Sequence, residues 1–273
     1  MTQPNKIRRP SHYDYPIILS RNTDVAHWYL DWLKQSLQVG YFIAPDPKTA
    51  IPVRWSTYPT HVPVLYFMTK HPVNLIQPLQ SWLLSYRVAV SVTITGWESV
   101  EHAAPGLDEQ LEGMGELAQE IGVGKVKWRY SPIPVDLNTS SALQDRLSKT
   151  AQMLAEMGFE EVEMSTLLPS PHYSEEYKDR RAALRTAIDI ASQFGFKVGL
   201  CANDTPYVEK TEACETTCVD SERLNKVFGL DLAPKSITCG CQRTIDPCNG
   251  SEFGCGSGCE YCYVPETNVG GCE

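Results

Sequence analysis

Near the end of the 273-residue sequence, Cys255, Cys259 and Cys262 stand at a CxxxCxxC spacing inside Cys-Gly-Ser-Gly-Cys-Glu-Tyr-Cys. Three thiolates so spaced can ligate three irons of a four-iron four-sulfur (4Fe-4S) cluster and leave the fourth iron open to another ligand. The intervening glycines let a tight loop wrap the cluster. Cys259 and Cys262 are also a CxxC pair of the kind that holds zinc, although a structural zinc site takes four protein donors.

The other cysteines crowd the same end. All ten lie between residues 201 and 272, a distribution that points to metal or cluster ligation rather than to a disulfide framework. Cys201, Cys218, Cys239 and Cys241 are enough for a second, fully ligated centre, an auxiliary 4Fe-4S cluster. Cys214, Cys248 and Cys272 remain over, and Cys214 or Cys248 could replace a chosen ligand. A zinc site in this region is the alternative.

With Tyr261 directly before its third cysteine, the triplet resembles the motif of the radical S-adenosylmethionine superfamily. That resemblance implies chelation of the open iron by the amino and carboxylate groups of S-adenosylmethionine. Reductive cleavage would then give a 5′-deoxyadenosyl radical that abstracts a substrate hydrogen, with an external one-electron donor such as flavodoxin or ferredoxin. The protein's part in such chemistry is orientation and exclusion of water. The competing reading is a noncatalytic zinc or iron–sulfur binding module in which the cysteine region is a structural clasp.

Bulk composition narrows the partners. A formal charge of −9 argues against a broad phosphate-binding surface, although Lys6, Arg8 and Arg9 form an acid-free arm and Lys178, Arg180 and Arg181 a second basic group. A small molecule or peptide is the expected substrate, with a nucleoside or nucleic-acid base as a second possibility. No run of eighteen apolar residues occurs and the N-terminus lacks a signal-like apolar stretch, so a cytoplasmic protein without membrane insertion is expected.

The elements that must position these cysteines read as repeated β-α units. Six apolar segments, Ile17 to Ser20, Val64 to Thr69, Val88 to Thr95, Val126 to Tyr130, Glu161 to Thr166 and Lys197 to Cys201, alternate with helical patterns over 24–39, 73–84, 107–121, 140–157 and 176–194. Such alternation predicts a parallel sheet. The expected fold class is α/β, a partial (β/α)6 TIM-like barrel over 16–203. An arm (1–15) precedes it, and a cysteine-rich cluster-binding tail (204–273) with a short helix at Ser221 to Phe228 follows.

Each strand ends in polar residues, and in parallel barrels the C-terminal strand ends form the active-site face. Arg129 is the preferred anchor for a cofactor carboxylate, because its guanidinium fork can pair with one. Thr69, Thr93, Thr95, Ser165 and Asn203 are candidates to hydrogen-bond cofactor or substrate, and Lys70 and Arg21 to bind an anionic substrate. Trp28, Trp97, Trp128 and Tyr130 could stack on adenine or a substrate ring, or simply fill the core. Asp24 and Glu98 could move protons.

Successive blocks, SRNTDVAHWY, FMTKHP, VTITG, VKWRYSPI, CAND, CVDSERLNKVFGL, CGCQRTID and CGSGCEYCYV, resemble the family described as domain of unknown function 1848. Its members carry a radical S-adenosylmethionine-like cysteine cluster at the C-terminus rather than near the start. The resemblance implies that Cys201, Cys218, Cys239 and Cys241 are its other cysteine positions. Two departures stand out: Arg21-Asn22 replaces two adjacent arginines, and PCNGSEFG with Cys248 precedes the triplet. A late motif also requires the tail to fold back over the C-terminal strand ends, close to the first strand.

Overall fold

The computed structural model describes residues 7–8, 15–134, 136–166, 177–201, 204, 213–216, 218–232, 243–248 and 253–262. In chain order these form β1 (Ile7–Arg8), β2 (Ile17–Leu19), α1 (Val25–Trp28), α2 (Leu30–Val39), β3 (Tyr41–Pro45), β4 (Pro52–Ser56) and β5 (Leu65–Thr69). A 3-10 turn (Pro72–Leu75), α3 (Ile76–Leu79), β6 (Val88–Thr93), α4 (Leu107–Ile121), β7 (Val126–Ile133) and α5 (Ser141–Glu156) follow. The last elements are β8 (Glu161–Thr166), α6 (Tyr177–Gln193), β9 (Lys197–Cys201), β10 (Ala213–Thr216) and α7 (Ser221–Phe228).

Seven strands make one sheet in the order β10-β9-β8-β7-β6-β5-β2, and every neighbouring pair is parallel. The six expected strands are all in it, in sequence order. Among the described residues the sheet is open: β10 and β2 are its edges and do not pair with each other. The free edge of β2 is met by Ile245, which bridges to Ile17, accepts from the Ile18 N–H at 2.9 Å and donates to the Pro16 carbonyl at 3.0 Å. No helix among the described residues is long and apolar enough to cross a membrane.

Side-chain alternation along a strand divides the sheet's two faces. Leu65, Phe67, Val90, Val92, Trp128, Val162 and Met164 pack on the main core with Leu111, Leu117, Leu147, Leu154 and Leu184 of α4, α5 and α6. Each such side chain stabilises the fold by about 1.5–3 kcal/mol when fully buried. On the opposite face Ile18, Tyr66, Met68 and Ala89 pack on Val219, Leu224 and Leu232 around α7. The Arg223 Nε donates to the Gly124 carbonyl at 3.0 Å, so α7 covers the end of this face where β7 begins. Beyond this apolar patch the same face carries Ser91, Thr93, Lys127, Arg129 and Glu163.

Two expected helices are interrupted. The 24–39 pattern divides at Tyr29, whose backbone leaves the helical region at φ −135° and ψ 25°, and whose hydroxyl donates to the Gly254 carbonyl at 3.0 Å. The 73–84 pattern reduces to the 3-10 turn and α3, because Pro78 removes a helical donor and crowds the preceding turn. A small sheet, β1-β4-β3, was not expected. Its hairpin is flanked by Pro45 and Pro52, residues that speak against a strand, and its turn is tied by Asp46 Oδ1, which accepts from the N–H groups of Lys48 (2.9 Å) and Thr49 (3.1 Å).

Candidate cofactor and substrate site

The cysteine loop is fastened to the C-terminal ends of β2 and β6 by their following loops, and Lys70 after β5 meets it through Glu101. After β2, Thr23 Oγ1 donates to the Gly254 carbonyl at 2.8 Å, where the Tyr29 hydroxyl also donates. Trp28 Nε1 donates to Ser257 Oγ at 3.4 Å. One step earlier in the tail, Asp246 Oδ1 accepts from Ser20 Oγ at 2.9 Å and from the Cys248 N–H at 3.1 Å. Burial raises the Asp246 carboxyl above its ordinary range, against the pull of these donors. Phe253 packs edge-on against Tyr29 and Trp32.

The loop after β6 grips the motif itself. Glu101 and Cys259 form an antiparallel bridge, the Glu260 N–H donates to the Val100 carbonyl at 3.0 Å, and the Ala103 N–H to the Ser257 carbonyl at 3.3 Å. Beneath this clasp the buried Glu101 Oε1 accepts from Thr95 Oγ1 at 2.8 Å and from the Tyr261 hydroxyl, and Lys70 Nζ lies 2.8 Å from it. Trp97 stacks on Tyr261 with ring centroids 5.7 Å apart.

Burial pushes the Cys259 thiol up to about 11, opposed by the Lys70 charge, and burial with the Glu101 charge holds the Tyr261 phenol well above its ordinary value. Cys255 Sγ donates to Ser257 Oγ at 3.3 Å. Among the described residues no group of three or more His, Cys, Asp or Glu side chains stands at metal-holding geometry. The donor set still fits a thiolate-held cluster in kind: three thiols come from one loop, and the nearby Cys262 adds to what disfavours ionisation of Cys259. A bound cation relieves that penalty, since a coordinating thiol is deprotonated outright.

The expected ligands fall into three groups. Lys70, Thr69, Thr95 and Tyr261 are drawn together beside the cysteine triplet. Thr69 and Thr95 use their hydroxyls on acids: Thr69 Oγ1 donates to Asp24 Oδ2 at 2.9 Å, as Thr95 does to Glu101. Asp24 Oδ2 also accepts from the Lys70 N–H at 2.8 Å, and burial raises this carboxyl's pKa. Its Oδ1 is buried with no hydrogen-bond partner among the described residues.

Arg129 and Thr93 lie further along the sheet, paired across β6 and β7. Glu163, fully buried, lies 2.9 Å from Lys127 Nζ and 3.4 Å from Arg129 Nε. Burial pulls the Lys127 ammonium down, but Glu163 and Tyr66 outweigh it and hold it above its ordinary value. Arg129 is the more accessible of the two cations, its side chain 24% exposed. Ser165 is hydrogen-bonded to Ser131.

Arg21 is exposed, and its backbone N–H reaches Asp246 Oδ2 at 3.5 Å. Glu98 is a half-exposed surface acid facing Arg146 at 3.6 Å. Of the aromatic candidates, Trp128 and Tyr130 are core residues, whereas Trp28 and Trp97 touch the cysteine loop.

Of the second cysteine set, Cys201 ends β9 opposite Thr216 of β10, and Cys218 packs on the smaller core cluster. Cys214 pairs with Gly199, two residues further down the strand. Cys239, Cys241, Cys272 and Asn203 lie outside the described residues.

Sequence reasoning missed Glu101, Asp246, Lys127 and Glu163. Period-two alternation would have found the last two, since Lys127 and Arg129 alternate with Trp128 and Tyr130, and Glu163 alternates with Val162 and Met164. Nothing local marks Glu101 or Asp246 as part of a site, because the partners that tie them into it, Tyr261 and Ser20, are 160 and 226 residues away.

Comparison with solved structures finds similarity to a glycoside hydrolase family 20 β-N-acetylglucosaminidase at 9% identity and a TM-score of 0.36, over 78% of this chain and 67% of that one. So low a score carries no argument about fold or activity. No curated protein matches the chain. Residues 17–264 match the family model described as Domain of unknown function (DUF1848), and the chain belongs to that family.

Proposed function

We propose that this protein is a radical S-adenosylmethionine enzyme, in which Cys255, Cys259 and Cys262 hold a site-open 4Fe-4S cluster at the mouth of a partial (β/α)6 barrel. The observation that carries the reading is the fastening of the CxxxCxxC loop over the C-terminal ends of β2 and β6, through Thr23, Tyr29 and Glu101. In parallel α/β folds that end of the sheet is where loops converge on ligands. When bound, such a cluster and S-adenosylmethionine supply a 5′-deoxyadenosyl radical able to abstract hydrogen from an unreactive carbon.

The chain's own residues shape the surroundings. Lys70 and Glu101 form a neutral pair beside the thiols and keep net charge off the loop. Trp28 and Trp97 border it with apolar surface that excludes water, while Arg129, on the α7-covered face, is placed to orient an anionic group of cofactor or substrate. The substrate we favour is a small metabolite or peptide, with a modified nucleobase as a further possibility, and the electron comes from a flavodoxin- or ferredoxin-like donor. Cys201, Cys218, Cys239 and Cys241 are proposed to hold an auxiliary 4Fe-4S cluster.

Anaerobic reconstitution with iron and sulfide, followed by reduction with S-adenosylmethionine, is expected to release 5′-deoxyadenosine and methionine, and Cys259→Ala should abolish this. An intact, reducible cluster that leaves S-adenosylmethionine uncleaved would sink the proposal. Stoichiometric zinc without iron or sulfide in anaerobically purified protein would favour the noncatalytic clasp.

A further inference from the structure

The cysteine loop has little regular structure of its own, so its shape is imposed from outside. Most of the contacts on its second half trace to one acid. Glu101 is 4% exposed, and a single carboxylate oxygen gathers Thr95 Oγ1, the Tyr261 hydroxyl and Lys70 Nζ. Its backbone bridges Cys259, and its neighbour Val100 accepts from the Glu260 N–H. Tyr261 lies between two cysteines of the motif, pinned on one side by this carboxylate and on the other by the Trp97 ring.

We propose that Glu101 is the positioning residue of the cysteine motif: its carboxylate, anchored by Lys70 and Thr95, grips the Tyr261 hydroxyl and so sets where Cys259 and Cys262 present their thiols. The inference rests on the reading that these cysteines hold a cluster, but the grip itself belongs to the protein alone. Charge-assisted hydrogen bonds are roughly twice as strong as neutral ones. A carboxylate fixed by a lysine and a threonine can therefore hold a tyrosine against the freedom of a glycine-containing loop. A purely structural acid would have a different signature, because its loss would loosen β6 and α4 together rather than the loop it faces.

The test is amide hydrogen exchange on the metal-free full-length protein, followed by spectroscopy of the reconstituted one. Glu101→Ala and Tyr261→Phe should each speed exchange at residues 259–262 by about tenfold, the loss expected for one hydrogen bond to a charged group. Protection in β6 and β7 should stay unchanged. Glu101→Gln, which keeps an acceptor oxygen but loses the charge, should speed exchange less than Glu101→Ala does. After reconstitution, the paramagnetic resonance signal of the reduced cluster should be altered in Glu101→Ala and in Tyr261→Phe, and less so in Glu101→Gln.

Tyr261→Phe is the variant least able to disturb folding, and unchanged exchange at 259–262 in it would overturn the proposal. So would loosening in Glu101→Ala that is spread evenly over β6, α4 and the loop. Should the parent protein take up no iron and sulfide, the cluster reading fails, while the exchange measurement still decides the role of Glu101.

Discussion

At the scale of single residues, the C-terminal end of the sheet is crowded with ionisable groups whose environments pull in different directions. Glu163 has a cation on each oxygen, and removing one partner of such a buried pair leaves an uncompensated charge. His71 is the opposite case, a base kept neutral. Its ring stacks on His27 at 3.7 Å, Lys70 precedes it, and its Nε2 is buried with no hydrogen-bond partner among the described residues. Burial, then the His27 and Lys70 charges, lower its pKa to about 4. The folded state therefore holds fewer protons here than the unfolded chain, in which the ring titrates near 6.5. The resulting stabilisation is complete above pH 6.5 and is lost as pH falls toward 4. Denaturant midpoints at pH 7 and pH 5 should fall further for the parent than for His71→Gln, which cannot titrate. Asp24 is present in both proteins, so its opposing contribution cancels in the difference. Equal falls in the two proteins would refute the assignment.

Helices and strands reveal how closely the pieces approach, and two glycines of α4 predict opposite outcomes. A Cβ at Gly113 would lie 2.6 Å from Val73 Cγ2 and 3.0 Å from Pro72 Cγ, so the missing side chain is what lets the 3-10 turn after β5 lie flat on the helix. At Gly115 the nearest neighbour is Met157 Sδ at 3.3 Å, the end of a flexible, exposed side chain. Gly→Ala inside a helix gains about 1 kcal/mol, while overpacking costs about 1–3 kcal/mol. Gly113→Ala should lose up to about 2 kcal/mol and Gly115→Ala should gain about 0.5–1 kcal/mol, as equilibrium unfolding would measure. The same scale explains what was legible in the sequence. Strands β2 and β5–β9 and the longer helices announced themselves by apolar period, because burial on both faces leaves near-continuous runs. The β3–β4 hairpin did not, since its prolines mimic a loop. The break at Tyr29 is dictated by Gly254, a partner far along the chain. Glu101 was hidden for the same reason, while Lys70, Thr69, Thr95 and Tyr261 could be singled out because polar strand ends and motif neighbours can be read locally.

Across the whole molecule, the C-terminal region completes the sheet rather than hanging from it. Ile245 occupies the free edge of β2, Phe253 fills a space between Tyr29 and Trp32, and Tyr261 closes over Glu101 and Lys70. A chain ending at residue 232 would keep every strand of the main sheet, yet lose these contacts together. Burying side chains of the size of Ile245, Phe253 and Tyr261 contributes about 1.5–3 kcal/mol each, so the loss is on the order of 5 kcal/mol. That is a large part of the roughly 5–15 kcal/mol by which domains are stable. The shortened protein would also present β2 as an unpaired, apolar edge, a template for pairing with another chain. It should unfold at markedly lower denaturant concentration than the full chain and associate as its concentration rises, both measurable by denaturation and by size-exclusion chromatography. A shortened protein that stays monomeric and matches the parent's stability would show that residues 243–262 rest on the fold without supporting it, and would remove the physical basis for a cysteine loop held rigidly at the strand ends.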